Sequence, residues 1–186
     1  MSTANKSTIF QEIVNNALVN ICDGNFVAKC IGLAHNKRIK TYIGADLFIK
    51  YIKKGIYKQY FLGNTSEVLH GLKNTLINYD RKIENMVFET LPFRQVDEFN
   101  YKEIANKINA HDVDIIWVSL GAPKQEYFMS KLVPHLNKGV LFGFGAIFNF
   151  YSGDKNTKRA PQLFLKYKLE WLYRMIQEPK KNFARL

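Results

Sequence analysis

At 186 residues, with 47% hydrophobic and 14% aromatic content, the chain is long and apolar enough for one packed domain and too apolar for a disordered one. No apolar run is long enough to cross a bilayer, the opening MSTANKSTIF lacks the apolar core of a signal peptide, and Cys22 and Cys30 are too few for a disulfide scaffold. The expectation is a reduced, cytoplasmic protein whose net charge of +11 favours anionic partners: nucleic acid, nucleotide phosphates or an anionic membrane face.

Ser7 to Leu18 reads as a helix with Ile9, Ile13, Ala17 and Leu18 on one side and Ser7 as its cap. Leu18 to Cys22 is a short apolar strand candidate, closed by Asp23-Gly24, a pair that is also an ordinary turn. Phe26 to Leu33 suggests a buried helix. Gly44-Ala45-Asp46 opens another, with Asp46 near its positive end. Ile56 to Leu62 is a buried strand. Gly63 then leads into a helix that Thr65 or Ser66 can cap and that runs to Ile77, a weak phosphate-cradle signal without a full glycine fingerprint. Met86 to Glu89 could form a strand, residues 90–99 a loop, and Asn100 to Ala110 a helix with Ile104, Ala105 and Ile108 inward.

The most informative stretch is Val113 to Val133. Val113 to Ser119 is apolar and β-branched, too short for a helix and suited to a buried strand. Leu120-Gly121-Ala122-Pro123 breaks it, Pro123 suits the first turn of a helix, and Phe128, Met129, Leu132 and Val133 supply that helix with an apolar face. Lys124, Gln125 and Glu126 fall at its start, where free N–H groups can hold phosphate; an ordinary turn with a solvated charge cluster is the equal alternative. Val140 to Phe150 reads as a further strand, with Gly143 and Gly145 marking close approach by a backbone or ligand. Pro161 opens a last helix and Pro179 ends it. Strands alternating with helices predict a Rossmann-like α/β fold, a parallel sheet flanked by helices.

The charge is uneven. From residue 154 onward Lys155, Lys158, Arg159, Lys166, Lys168, Arg174, Lys180, Lys181 and Arg185 face only Asp154, Glu170 and Glu178. This basic segment, residues 154–186, is read as an appendage to a core of residues 1–153. Its aromatic and aliphatic residues suit either a helix packed on the sheet with a solvated basic face or an amphipathic segment on anionic lipid.

Several chemistries find little support. Asp112-Val113-Asp114 imitates a metal-binding Asp-x-Asp element, but there the apolar strand precedes the acids, and here it follows them; a solvated strand entrance fits better. His35, His70, His111 and His135 have no ligand spacing. There is no P-loop and no Gly-x-Ser-x-Gly elbow. Aromatic residues fall at core spacings and do not interleave with bases, so a nucleic-acid binder ranks low.

From Asp23 onward the sequence resembles the WecG/TagA/CpsF glycosyltransferases, glycosyltransferase family 26. The resemblance rests on an ordered series: Asp23-Gly24, the G-x-D-L of Gly44 to Leu47, FLG at Phe61 to Gly63, VSLGAPKQE at Val118 to Glu126, and GFGAIFNF at Gly143 to Phe150. KRAP at Lys158 to Pro161, LEWLYR at Leu169 to Arg174 and QEP ending at Pro179 complete it. It implies an inverting, metal-independent enzyme, without a cofactor, at the cytoplasmic face of the cell membrane. Such an enzyme moves an N-acetylmannosamine-type sugar from a UDP-sugar to a polyprenyl-diphosphate-linked N-acetylglucosamine acceptor, in cell-surface polysaccharide or teichoic acid synthesis. Asp23 becomes the general base, and Arg174, with Arg159, Lys181 and Arg185 in the same basic region, reaches the donor diphosphate. Gly24, Asp46, Gly63, Gly121, Lys124, Gln125, Glu126, Gly145 and Asn149 become substrate-binding positions. The resemblance also implies self-association.

Two departures from the pattern stand out. Relatives carry a longer N-terminal segment with a Thr-x-Asn strand, and Asn149 stands where they usually have Asp, which keeps hydrogen bonding but removes charge. They leave a second reading open, a non-catalytic or truncated relative that binds UDP-sugar or a partner subunit.

Overall fold

The computed structural model describes residues 7–22 and 25–153, with residues 25–27 described in backbone alone. Four parallel strands form the centre: β1 (Gln59–Gly63), β2 (Val87–Glu89), β3 (Ile115–Ser119) and β4 (Val140–Gly143), in the order β2-β1-β3-β4. The helices are α1 (Thr8–Asn15), α2 (Asn25–Ala34), α3 (Gly44–Lys54), α4 (Ser66–Leu76), α5 (Tyr101–Asn109), α6 (Lys124–Leu132) and α7 (Ile147–Tyr151), with short 3-10 turns at Arg81–Asn85, Val96–Glu98 and Val133–His135. The expected α/β class is what forms.

β1 and β3 are buried at every position because helices cover both faces, and their side chains alternate between two cores. Phe61, Ile115 and Trp117 face one core, with Phe48 and Ile52 of α3, Leu69, Leu72 and Leu76 of α4, and Ile147 and Phe148 of α7. Tyr60, Leu62, Ile116 and Val118 face the other, with Ile104, Ala105 and Ile108 of α5 and Phe128 and Leu132 of α6. Trp117 stacks on Phe142 at 4.8 Å between centroids, and its indole N–H donates to Gln59 Oε1 at 2.7 Å, satisfying the one polar atom that the ring buries.

The sequence expectations hold for most elements, with these corrections: α1 ends at Asn15 and buries Phe10 against Tyr127 while Ile9 and Leu18 are exposed, and α2, read as buried, buries Ala28 among its described side chains and exposes Leu33. Thr65 caps α4, its hydroxyl accepting from Val68 N–H, and Ser7 caps α1 by accepting from Phe10 N–H. Leu18 to Cys22 forms no strand: Leu18 and Val19 are exposed, so nothing packs the run into a sheet. The expected strand of Val140 to Phe150 is two elements. β4 ends at Gly143, and Ile147 to Tyr151 is helical, because Ile147 and Phe148 bury themselves beside α4 and α3 and do not continue the sheet. Pro123 is the residue before α6 and not its first, and it follows a cis Ala122–Pro123 peptide. The loop of residues 90–99 carries a 3-10 turn at Val96–Glu98.

The strand order locates the site. The chain leaves β1 for β2 on one side of the sheet, then crosses to β3 and β4 on the other. The connections after β1 and β3 therefore diverge onto opposite faces and leave a crevice between their carboxyl ends, the place where open α/β sheets bind ligands.

Candidate functional site

The crevice is lined by three connections that sequence alone could not bring together. After β1, Gly63 (φ 94°) and Asn64 (φ 69°) both take left-handed backbone, so the chain turns sharply into α4. After β3, Gly121 (φ 76°) does the same ahead of α6. After β4, Gly145 carries the chain back over the sheet end.

These turns touch at distances that require glycine. A Cβ on Gly63 would lie 2.7 Å from the Ser119 carbonyl oxygen, and one on Gly145 would lie 2.8 Å from the Gly121 Cα. The contacts are backbone, so a side chain at either position forces the turns apart.

A polar network binds the three turns. Asn64 Nδ2 donates to Ser119 Oγ at 3.0 Å and to Asn149 Oδ1 at 2.7 Å, using both amide hydrogens. Ser119 Oγ donates to the Gly145 carbonyl at 2.8 Å. Asn64 Oδ1 accepts from Thr65 N–H at 2.9 Å. Asn64 and Ser119 were not singled out in the sequence. The one local signal was the Gly63-Asn64 pair at a strand end, a turn signature that tolerates left-handed backbone.

Gln125 occupies the crevice wall. It is 6% exposed, and its Nε2 donates to Glu126 Oε1 at 3.0 Å and to the Gly143 carbonyl at 3.3 Å. Its Oε1 is buried without a partner and lies 3.1 Å from where a Gly145 Cβ would be. Glu126 Oε2 is likewise buried and unpartnered. Two orphaned acceptors at one spot carry a desolvation cost, and a ligand presenting N–H or O–H groups removes it. This corner suits a sugar hydroxyl, an acetamide or a nucleobase imide better than a bare phosphate.

The two helix N-termini at the crevice differ. That of α4 is occupied: Thr65 caps it, and the Glu67 carboxyl is held below its usual range, first by its own backbone N–H and then by the Thr65 and Ser66 hydroxyls. That of α6 has no side-chain cap, since Pro123 stands in the cap position. At α6 the Gln125 N–H donates to the Gly121 carbonyl at 3.0 Å and Glu126 stands in the first turn, so the terminus differs from that of α4 in lacking a side-chain cap.

Of the substrate-binding positions expected from sequence, Gly63, Gly121, Gln125, Glu126, Gly145 and Asn149 converge here. Lys124 turns away: its Nζ donates to the Arg94 carbonyl and stands over the Phe93 and Phe99 rings, at 5.2 Å and 5.5 Å from their centroids. Asp46 lies in the first turn of α3, lining a cleft with Lys50 and Tyr151. Asp23, Gly24, Arg159, Arg174, Lys181 and Arg185 lie outside the described residues. Asp112 and Asp114 sit at the opposite, amino end of the sheet. Lys138 pairs with them at 2.7 Å and 3.3 Å, and Lys58 pairs with Asp112 at 3.3 Å.

A parallel sheet with helices on both faces, and glycine turns in contact at its switch point, defines a Rossmann-like α/β protein. The chain belongs to the WecG/TagA/CpsF glycosyltransferase family, whose sequence profile matches residues 1–186. It is 31% identical over 153 residues to a Bacillus spizizenii protein named N-acetylglucosaminyldiphosphoundecaprenol N-acetyl-beta-D-mannosaminyltransferase, a match covering 82% of this chain and 57% of the relative. A Staphylococcus aureus protein of the same name is 27% identical over 177 residues, covering 92% of this chain and 66% of the relative. The chain thus spans less than two thirds of the length of these relatives.

Proposed function

We propose that the chain acts as an N-acetylmannosaminyltransferase, moving the sugar from a UDP-linked donor to a polyprenyl-diphosphate-linked N-acetylglucosamine acceptor in cell-wall polymer or teichoic acid synthesis. The family and the names of its relatives support this class of reaction. The observation that carries the site assignment is the unpartnered Gln125 Oε1, buried at the switch-point crevice beside Gly145.

In this reading the donor's diphosphate lies toward the uncapped N-terminus of α6. Its hydroxyl, acetamide or imide hydrogens satisfy Gln125 and Glu126, and Gly63, Gly121 and Gly145 let the backbone close around it. The acceptor hydroxyl attacks the anomeric carbon opposite the departing UDP, inverting the centre. Asp23 takes the hydroxyl proton as the new bond forms, a contribution of roughly 10²–10⁴-fold. Arg174, with Arg159, Lys181 and Arg185, offsets charge on the leaving diphosphate, so no metal ion is called for. Residues 1–153 serve as the core and 154–186 as the appendage that completes it. Among the described residues no helix is long and apolar enough to cross a membrane. The basic appendage places the enzyme peripherally at the inner face, where a lipid-linked acceptor lies, and copies self-associate.

The test is incubation of purified protein with UDP-N-acetylmannosamine and a short-chain lipid-diphosphate acceptor. Sugar transfer that Asp23→Asn abolishes, with UDP binding nearly intact, supports the reading; turnover within a few-fold of the parent removes Asp23 from the role. Asn149, neutral where relatives usually carry Asp, favours one competing reading, a non-catalytic UDP-sugar binder. Product formation retires it.

A further inference from the structure

The exposed side of α3 carries a feature that the transfer site does not use. Lys50, Lys53 and Lys54 stand at i, i+3 and i+4, opposite the buried Phe48 and Ile52, so all three project from one face. They border a cleft of about 530 Å³ that Tyr79, Tyr151 and the single acid Asp46 also line.

None of the three lysines has an ion pair among the described residues. Two of them stand over aromatic faces: Lys53 Nζ lies 5.2 Å from the Tyr79 ring centroid, and Lys54 Nζ lies 5.3 Å from Tyr51 and 5.7 Å from Tyr57. The opposite face of the sheet differs. There Lys107 pairs with Glu89 at 3.1 Å and Glu103 at 3.6 Å, and Lys131 pairs with Asp97. Two residues after Lys54, just past the end of α3, the apolar Ile56 is 70% exposed. Tyr151, at the rim of the cleft, lies three residues before the basic stretch that begins at residue 154.

We propose that this face of α3, with its cleft, docks on an anionic lipid bilayer. The chemistry selects that occupant. Unneutralised lysines attract acidic headgroups, tyrosines suit the interface with their rings apolar and their hydroxyls wet, and an exposed isoleucine gains from burial at the acyl boundary. A polyphosphate backbone would use the lysines but not Ile56. The contact is distinct from the basic appendage, since every residue that forms it lies between Asp46 and Tyr151. Its purpose rests on the reading that the acceptor is lipid-linked, but its existence does not.

The full chain is sedimented with vesicles of phosphatidylglycerol mixed with phosphatidylcholine, and with phosphatidylcholine alone. The variant Lys50→Glu/Lys53→Glu/Lys54→Glu is compared with Lys102→Glu/Lys107→Glu/Lys131→Glu, which changes net charge equally on the opposite face. The first should lose at least about tenfold in partitioning to the acidic vesicles and the second much less. Both should keep the parent's circular dichroism. Equal losses, or full retention by the first, would overturn the proposal. So would loss of binding to a random oligonucleotide with vesicle binding intact, which assigns the face to nucleic acid. Transfer to a detergent-dispersed acceptor is read separately: if the parent shows none, the transferase reading fails while the vesicle comparison still decides this one.

Discussion

Asn64 Nδ2 lies 2.7 Å from Asn149 Oδ1, across 85 positions of sequence, and ties the turn after β1 to the first turns of α7. Its other hydrogen bond goes to Ser119 Oγ, so one amide joins three chain segments. Asn149→Leu leaves an amide hydrogen of Asn64 without an acceptor and should cost about 1–3 kcal/mol, read as a lower melting temperature. Asn149→Asp keeps the acceptor and makes the bond charge-assisted, so it should melt close to the parent. Because the resemblance implies Asp at this position, its transfer rate should equal or exceed the parent's. A rate well below the parent's would mean that the rest of this site is matched to the neutral side chain.

The glycine contacts predict a steeper cost. Gly63→Ala meets both a left-handed backbone and a carbonyl oxygen 2.7 Å from the new Cβ. Gly145→Ala meets the Gly121 Cα at 2.8 Å. Each should destabilise by about 2 kcal/mol or more, because the neighbour is backbone and cannot rotate away. Gly121→Ala differs: nothing lies within 4 Å of its Cβ, so only its φ of 76° opposes the change. Denaturant midpoints for the three variants should place Gly121→Ala nearest the parent.

These contacts explain what could and could not be read in advance. Val113 to Ser119 was legible as a strand because β-branched residues and Trp117 filled a short run bounded by turn residues. Thr65 was legible as a cap because its chemistry is local. The division of Val140 to Phe150 was not legible, because β4 and α7 are equally apolar, and only burial of Ile147 and Phe148 beside α4 separates them. The roles of Asn64 and Ser119 are not legible in sequence because they depend on which strands become neighbours. The convergence of Gly63, Gly121, Gln125 and Gly145 was foreshadowed by resemblance, but the contact between Gly121 and Gly145 is a property of the sheet order alone.

The amino end of the sheet predicts an acid-sensitive element. The Asp112 carboxyl is held below its usual range by hydrogen bonds from Lys138 and then Lys58. That of Asp114 is held down first by the Lys58 backbone N–H, and Lys138 is raised by Asp112 and then Asp114. A carboxyl depressed in the fold binds fewer protons than in the unfolded chain. Its stabilisation is therefore complete above the unfolded value, about 4, and fades as pH falls through the folded one. Asp112→Asn/Asp114→Asn should melt below the parent at pH 7, and the gap should close as pH drops below about 4. Salt should shrink the neutral-pH gap, since these groups are exposed. A gap that stayed constant with pH would mean that the loss came from packing or backbone geometry.

Gln125 offers the most direct test of the crevice. Its Nε2 is committed to Glu126 and to the Gly143 carbonyl, which fixes the amide orientation and leaves Oε1 facing Gly145 with no donor. A ligand that donates a hydrogen bond there gains the bond and removes a buried orphan at the same time. Gln125→Ala should thus weaken UDP or UDP-sugar affinity by about tenfold, a loss of about 1.4 kcal/mol. Gln125→Glu keeps the shape but sets a second carboxylate against Glu126. Its affinity should be poorer than the parent's, because the new carboxylate meets Glu126 and the Gly143 carbonyl where the amide donated to both. Calorimetric titration reads both variants. Parental affinity in Gln125→Ala would move the donor away from this wall, and parental affinity in Gln125→Glu would mean that the amide's two donated bonds do not shape the site.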